Sequence, residues 1–108
     1  MFLEDGEWKQ ANKYFDRVLD IDPELAPAYI GKLCVELRVR NEKQLGERDK
    51  PISEYNNFQK ALRFSDSDSQ IRLRRYDEII KERILHREYL SLLSKKTQLR
   101  QKKNLKYS

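Results

Sequence analysis

The sequence predicts an all-α protein with a long C-terminal helix. Apolar residues recur at helical spacing along most of the chain, and the straight-chain helix formers Leu, Lys, Arg, Glu and Gln dominate it. Only three Gly and three Pro are present, where chains of short strands and tight turns need more. The 108 residues suffice for one domain. Charged residues make up 38%, against about 25% in an average soluble domain. The hydrophobic fraction is also 38%. That balance excludes the deep core of a large enzyme and allows a thin layered structure.

Trp8, Ala11, Phe15, Val18 and Leu19 mark one apolar face of a helix from about Glu7 to Asp20. Gly6 stands before it, where a chain reversal needs it, and Pro23 stands after it and prevents continuation. A second helix is expected from Ala26 to Arg40. Pro27 suits its first turn, Ile30, Leu33, Cys34 and Leu37 form its apolar face, and Arg38 and Arg40 lie in the last turn. Asn41–Pro51 is polar and reads as a loop, with room for one helical turn capped by Asn41. Asn56 or Asn57 is expected to cap a short helix ending near Phe64, with Phe58, Ala61, Leu62 and Phe64 as its apolar positions. The run Ser65–Ser69 breaks the chain and starts the long helix, with Asp66 or Asp68 favourable at its N-terminus. Its loose stripe from Ile71 to Leu93 is no clean heptad.

Charge is uneven. From Tyr89 onward Lys95, Lys96, Arg100, Lys102, Lys103 and Lys106 stand with no acid among them. Of the chain's 23 basic residues the other 17 face all 18 acids in residues 1–88, so the excess positive charge lies entirely in the tail. With Leu99 and Leu105 its only strong apolar residues after Leu93, this tail is expected to fray in isolation.

One Cys and one His exclude a disulfide framework and a Cys/His zinc site within one chain. Cys34 lies on an apolar helix face with no basic neighbour, which reads as an inert core thiol. His86, among Glu82, Arg83 and Arg87, reads as a solvated surface residue. Asp20, Asp22 and Glu24 lack the spacing, central Gly and closing Glu of a calcium loop. No phosphate-binding or dinucleotide fingerprint is present. No apolar run approaches the roughly 20 residues of a membrane span.

Gly6, Trp8, Ala11, Phe15, Val18, Leu19 and Pro23 together resemble the second half of a tetratricopeptide repeat, whose period is about 34 residues. The resemblance implies that Ala11 lets two helices approach closely, that Phe15 fills the hole between neighbouring repeats, and that Pro23 ends one repeat. Val18 replaces the family's usual small residue. Tyr29 takes the place of the next repeat's aromatic, while Lys32 and Leu33 occupy the positions of its Leu-Gly pair. Phe58, Ala61 and Phe64 echo that repeat's second helix after an insertion spanning Asn41–Tyr55. Phe2 and Leu3 resemble the end of a repeat's first helix, so the chain is expected to be a fragment of a longer protein. It is similar to repeat segments in bacterial multidomain proteins, some of which carry a zinc ribbon before the repeats and basic residues before a membrane helix.

The expected architecture is therefore a tetratricopeptide-like antiparallel helical repeat array over residues 1–93, followed by a basic tail over residues 94–108. The expected function is a non-catalytic scaffold whose interhelical groove takes a peptide or partner helix, without cofactor or metal, in the cytoplasm. Gly6, Trp8, Ala11, Phe15, Val18, Leu19, Pro23 and Tyr29 are its expected repeat-packing residues. The alternative is binding of nucleic acid or an anionic membrane surface through Lys95, Lys96, Arg100, Lys102, Lys103 and Lys106. A homodimer would bury an unpaired repeat face.

Overall fold

The computed structural model describes the backbone of residues 2–107 and the side chains of residues 2–98. It is all-helical: α1 (Trp8–Ile21), α2 (Ala26–Leu37), a 3₁₀ helix (Glu42–Glu47), α3 (Asn56–Phe64) and α4 (Ser67–Tyr107), with no strand among the described residues. Helix α2 is the centre. It packs against α1, α3 and the 3₁₀ helix, and α4 packs against the 3₁₀ helix and α3.

Eight of the twelve residues of α2 are buried, including Ile30, Leu33, Cys34 and Leu37. A helix enclosed on three sides needs apolar residues around most of its circumference, as its sequence has. Its contact with α1 is set by one close approach. A Cβ built on Gly31 would lie 2.2 Å from Cζ of Phe15, so the aromatic ring rests on bare backbone. Ala11 is buried beside this contact, and Trp8, Phe15, Val18 and Leu19 are half-buried.

Two chain reversals share one hydrogen-bond pattern. The Gly6 amide donates to the Leu3 carbonyl (3.1 Å) and the Glu7 amide to that of Phe2 (2.9 Å). The Arg38 amide likewise donates to Val35 (3.2 Å) and the Val39 amide to Cys34 (3.0 Å). This pattern needs a left-handed residue at its corner. Gly6 supplies φ 74°, and Arg38 is forced to φ 56°. The second helix therefore stops at Leu37, short of the expected Arg40. Arg38 lies outside the helix as its cap, its guanidinium donating to the Val35 carbonyl at 3.3 Å.

The polar stretch after α2 is more than a loop. As expected, Asn41 caps its helical turn, accepting the Gln44 amide at 3.1 Å. The turn then drives Leu45 into the core, and Ile52 follows, both fully buried beside Phe58, Leu73 and Ile80. Side chains of α4 hold the stretch at three points. Asp77, itself buried, accepts the amides of Ile52 (2.8 Å) and Ser53 (3.1 Å) and pairs with Lys81 (2.8 Å). Arg83 donates to the carbonyls of Gly46 (2.7 Å) and Arg48 (3.0 Å). Glu42 receives the Tyr76 hydroxyl (2.5 Å) and Arg72 Nε (2.7 Å).

Neither Asn56 nor Asn57 caps α3. Tyr55 holds the cap position without a side-chain bond, and Asn57 instead donates to Glu36 at 2.6 Å, tying α3 to α2. Asp66 does cap α4, accepting the Ser69 amide at 2.8 Å. Hydrogen bonding from Ser69, its amide first and then its side chain, holds the Asp66 carboxyl below the usual range. The backbone of α4 continues through residue 94 to Tyr107 without a break, in a stretch rich in Lys, Gln and Leu and free of Gly and Pro.

Stability measurements at Gly31 and Asp77 test this packing. Gly31→Ala should cost about 1–3 kcal/mol by chemical denaturation, because the new methyl displaces the Phe15 ring. On a Phe15→Ala background the same change should cost less than half as much. Asp77→Ala should cost at least about 1–3 kcal/mol, because it orphans two amides, one of them on a fully buried residue. Burial pushes the Asp77 carboxyl up, but Lys81 and the two amides outweigh it and hold it below its ordinary value. Its contribution is therefore complete above an unfolded pKa of about 3.9 and is lost as pH falls through the lower folded value. Asp77→Asn should flatten that acid limb of the stability profile.

Candidate functional site

The N-terminal turn, α1 and the start of the 3₁₀ segment enclose an apolar groove of about 290 Å³. Phe2, Leu3, Ala11, Tyr14 and Phe15 form its apolar lining, and Glu4, Arg40 and Asn41 supply polar edges. The groove exists because of the two reversals. Gly6 turns the chain so that Phe2 and Leu3 lie beside α1, and the Arg38 corner brings Arg40 and Asn41 back toward them. The Arg40 guanidinium lies near Gly6, where a Cβ would sit 3.4 Å from Nη2. Its amide donates to Gln44 Oε1 at 2.6 Å, which fixes the polar edge. Tyr14 meets Phe15 edge-on, with ring centroids 5.5 Å apart. Phe2 and Tyr14 remain 41% and 47% exposed, so aromatic surface is open to an incoming apolar group.

The expected repeat-packing residues divide between this groove and its supports. Ala11 and Phe15 line it, and Gly6 shapes it. Trp8 lies under the Arg38 guanidinium, 5.6 Å from the ring centroid, a cation–π contact that covers the strained corner. Pro23 is exposed, and its carbonyl accepts the Tyr29 hydroxyl at 2.6 Å. Tyr29 stacks on Phe64 at 5.7 Å, with Lys60 Nζ 5.6 Å from its centroid. Val18 and Leu19 lie outside the groove lining. Tyr14, Arg40 and Phe2 were not legible as site residues, because Tyr14 is off the apolar stripe and the other two belong to turns without periodicity.

Lys95 and Lys96 are exposed on α4. The side chains of Arg100, Lys102, Lys103 and Lys106 fall outside the described residues. Burial first, and then Glu42, push the Tyr76 phenol up to about 12, so at neutral pH it is a fixed donor to that carboxylate. His86 is exposed. Among the described residues no three His, Cys, Asp or Glu side chains gather around a metal position. None of the helices is long and apolar enough to cross a membrane, among the described residues. A larger hollow of about 480 Å³, lined by Lys50, Pro51, Glu54 and Tyr55, has a more polar lining and a single aromatic residue.

Compared with family models, curated proteins and solved structures, the chain gives no significant match to any of them.

Cys34 is 1% exposed, and burial followed by the Glu42 charge pushes its thiol up to about 12. It carries no appreciable thiolate at neutral pH. An alkylating reagent at pH 8 should therefore label it only as fast as the protein unfolds. Labelling much faster than unfolding would place the thiol at a reactive surface.

Proposed function

We propose that the chain is a non-catalytic, tetratricopeptide-like interaction domain that takes apolar side chains of a peptide or partner helix in the Phe2–Phe15 groove. The observation that carries the reading is the combination of open aromatic surface at Phe2 and Tyr14 with a fixed polar edge at Arg40 and Asn41. Apolar pockets with a few placed polar groups are the usual form of a recognition groove. The close seating of Phe15 on Gly31 supports the likeness to a helical repeat, where an aromatic fills a gap between neighbouring helices. A lone buried thiol fits a reducing, cytoplasmic setting.

A library of amphipathic helical peptides, screened by fluorescence and mapped by NMR, tests this reading. Binding peptides should perturb the Phe2, Leu3, Tyr14 and Phe15 signals. Tyr14→Glu should weaken them by roughly tenfold or more with little change in thermal midpoint, because Tyr14 is a half-exposed groove residue. Peptides that bind tightly while leaving these signals unmoved would reject the groove.

The exposed Lys95 and Lys96 on a basic helix favour a second reading, contact with an anionic surface. Such binding should weaken steeply with added salt.

A further inference from the structure

We propose, resting on the second reading above, that the anionic surface is a lipid bilayer. On it α4 lies flat from Leu85 onward, with Leu85, Tyr89, Leu92 and Leu93 turned toward the acyl chains. Every described side chain from Leu85 to Gln98 is exposed. Among them are Leu85 (64%), Tyr89 (57%), Leu92 (64%) and Leu93 (42%). At about 100° per residue these four fall within an arc of about 100°, and Leu90 flanks it. Arg87, Ser91, Ser94 and Gln98 fall on the opposite side.

An apolar side and a polar side on an unpacked helix are the form of a helix that lies in a membrane interface. Toward the body the same arc carries Glu78 and Glu82, which Arg75 holds at 3.5 and 3.0 Å, so the apolar stretch begins at Leu85. Leu73, Asp77 and Ile80, buried where α4 packs on the body, lie on the far side of the helix from the arc. The body is thereby held on the side of α4 turned from the bilayer. The helix lies on the surface and does not cross it, since no described helix is long and apolar enough to do so.

Charge selects the occupant. Nearer the body, basic side chains of α4 are engaged within the chain: Arg72 with Glu42, Arg75 with Glu78 and Glu82, Lys81 with Asp77, and Arg83 on the Gly46 and Arg48 carbonyls. From Ile84 onward seven basic residues stand against one acid, Glu88. Anionic headgroups attract such a run. An apolar patch or a basic run alone binds a bilayer loosely, and the two together give stable attachment. The chain sets them in succession: the apolar turns at 85–93, then Lys95 and Lys96 and, in the sequence, Arg100, Lys102, Lys103 and Lys106. Lys96 stands within the arc, and its aliphatic stem lets the ammonium reach the headgroups. A nucleic acid offers the same phosphate charge but nothing to cover four exposed apolar side chains. From Lys95 onward, moreover, Tyr107 is the only aromatic residue for base stacking.

Co-sedimentation of the full chain with vesicles in physiological salt tests the proposal. Vesicles of phosphatidylcholine with roughly one third phosphatidylglycerol should bind it at least about tenfold more tightly than phosphatidylcholine alone. Leu85→Ser with Leu92→Ser should weaken that binding by roughly tenfold or more, with the thermal midpoint of the body kept, because both side chains are exposed. Glu88→Lys should tighten it several-fold. Equal binding to neutral vesicles, no gain from Glu88→Lys, or binding indifferent to Leu85 and Leu92 overturns the proposal. Salt-sensitive binding to duplex DNA with none to anionic vesicles overturns it and leaves the second reading standing, whereas binding to neither overturns both. A dimer formed through Leu85 and Leu92 that leaves anionic vesicles unbound shows that a second copy covers the arc, and also overturns the proposal.

Discussion

Asp77 is the residue on which the arrangement of the helices most depends. It is an acid on the buried face of α4, four residues after Leu73 and three before Ile80, at a position where an apolar side chain would be expected. There it accepts two amides from the Ile52–Ser53 backbone and pairs with Lys81. A buried carboxylate is costly unless it is fully partnered; Lys81 lies on the same helix, but the two amides are available only when the segment before α3 lies against α4. Arg83 adds a second attachment through the Gly46 and Arg48 carbonyls, and Glu42 adds a third with Tyr76 and Arg72. The stretch between α2 and α3 is thereby a structural layer: it buries Leu45 and Ile52 and joins the central helix to the long one.

That clamp divides the molecule into two kinds of surface. The body is held by α2, with α1 seated on it through Phe15 and Gly31, and the groove lies at the edge of this contact. The attachments of α4 end at Arg83 and Ile84, and beyond them the helix continues to Tyr107. At about 1.5 Å per residue its 41 residues reach roughly 61 Å. The apolar and basic side chains described beyond Ile84, through Gln98, are exposed, while the groove depends on α1 and on the turns at Gly6 and Arg38.

Much of this was legible in the sequence. The periods of α1, α2 and α3, the Asp66 cap, the Asn41 turn and the burial of Cys34 follow from residue spacing and cap chemistry. Other features were hidden for physical reasons. Leu45 and Ile52 stand singly among charged residues, so no period announces that they are core. Asp77 sits inside a charged stretch, and only its place between Leu73 and Ile80 signals a buried role. Arg38 adopts a left-handed conformation that glycine usually supplies, which is why the second helix looked one turn longer than it is. Asn57 is a ready cap by type, yet its amide is engaged across the helix interface by Glu36. The groove is assembled from Phe2, Tyr14 and Arg40, which no single periodic pattern connects.

The clamp is tested most directly by native-state hydrogen exchange at the Ile52 amide. If Asp77 holds this segment as an integral layer, Ile52 will exchange only through global unfolding, with the same protection free energy as Leu33 in the middle of α2. Exchange through a local opening, at a free energy well below that of Leu33, would show that the segment is a peripheral loop and would contradict the account.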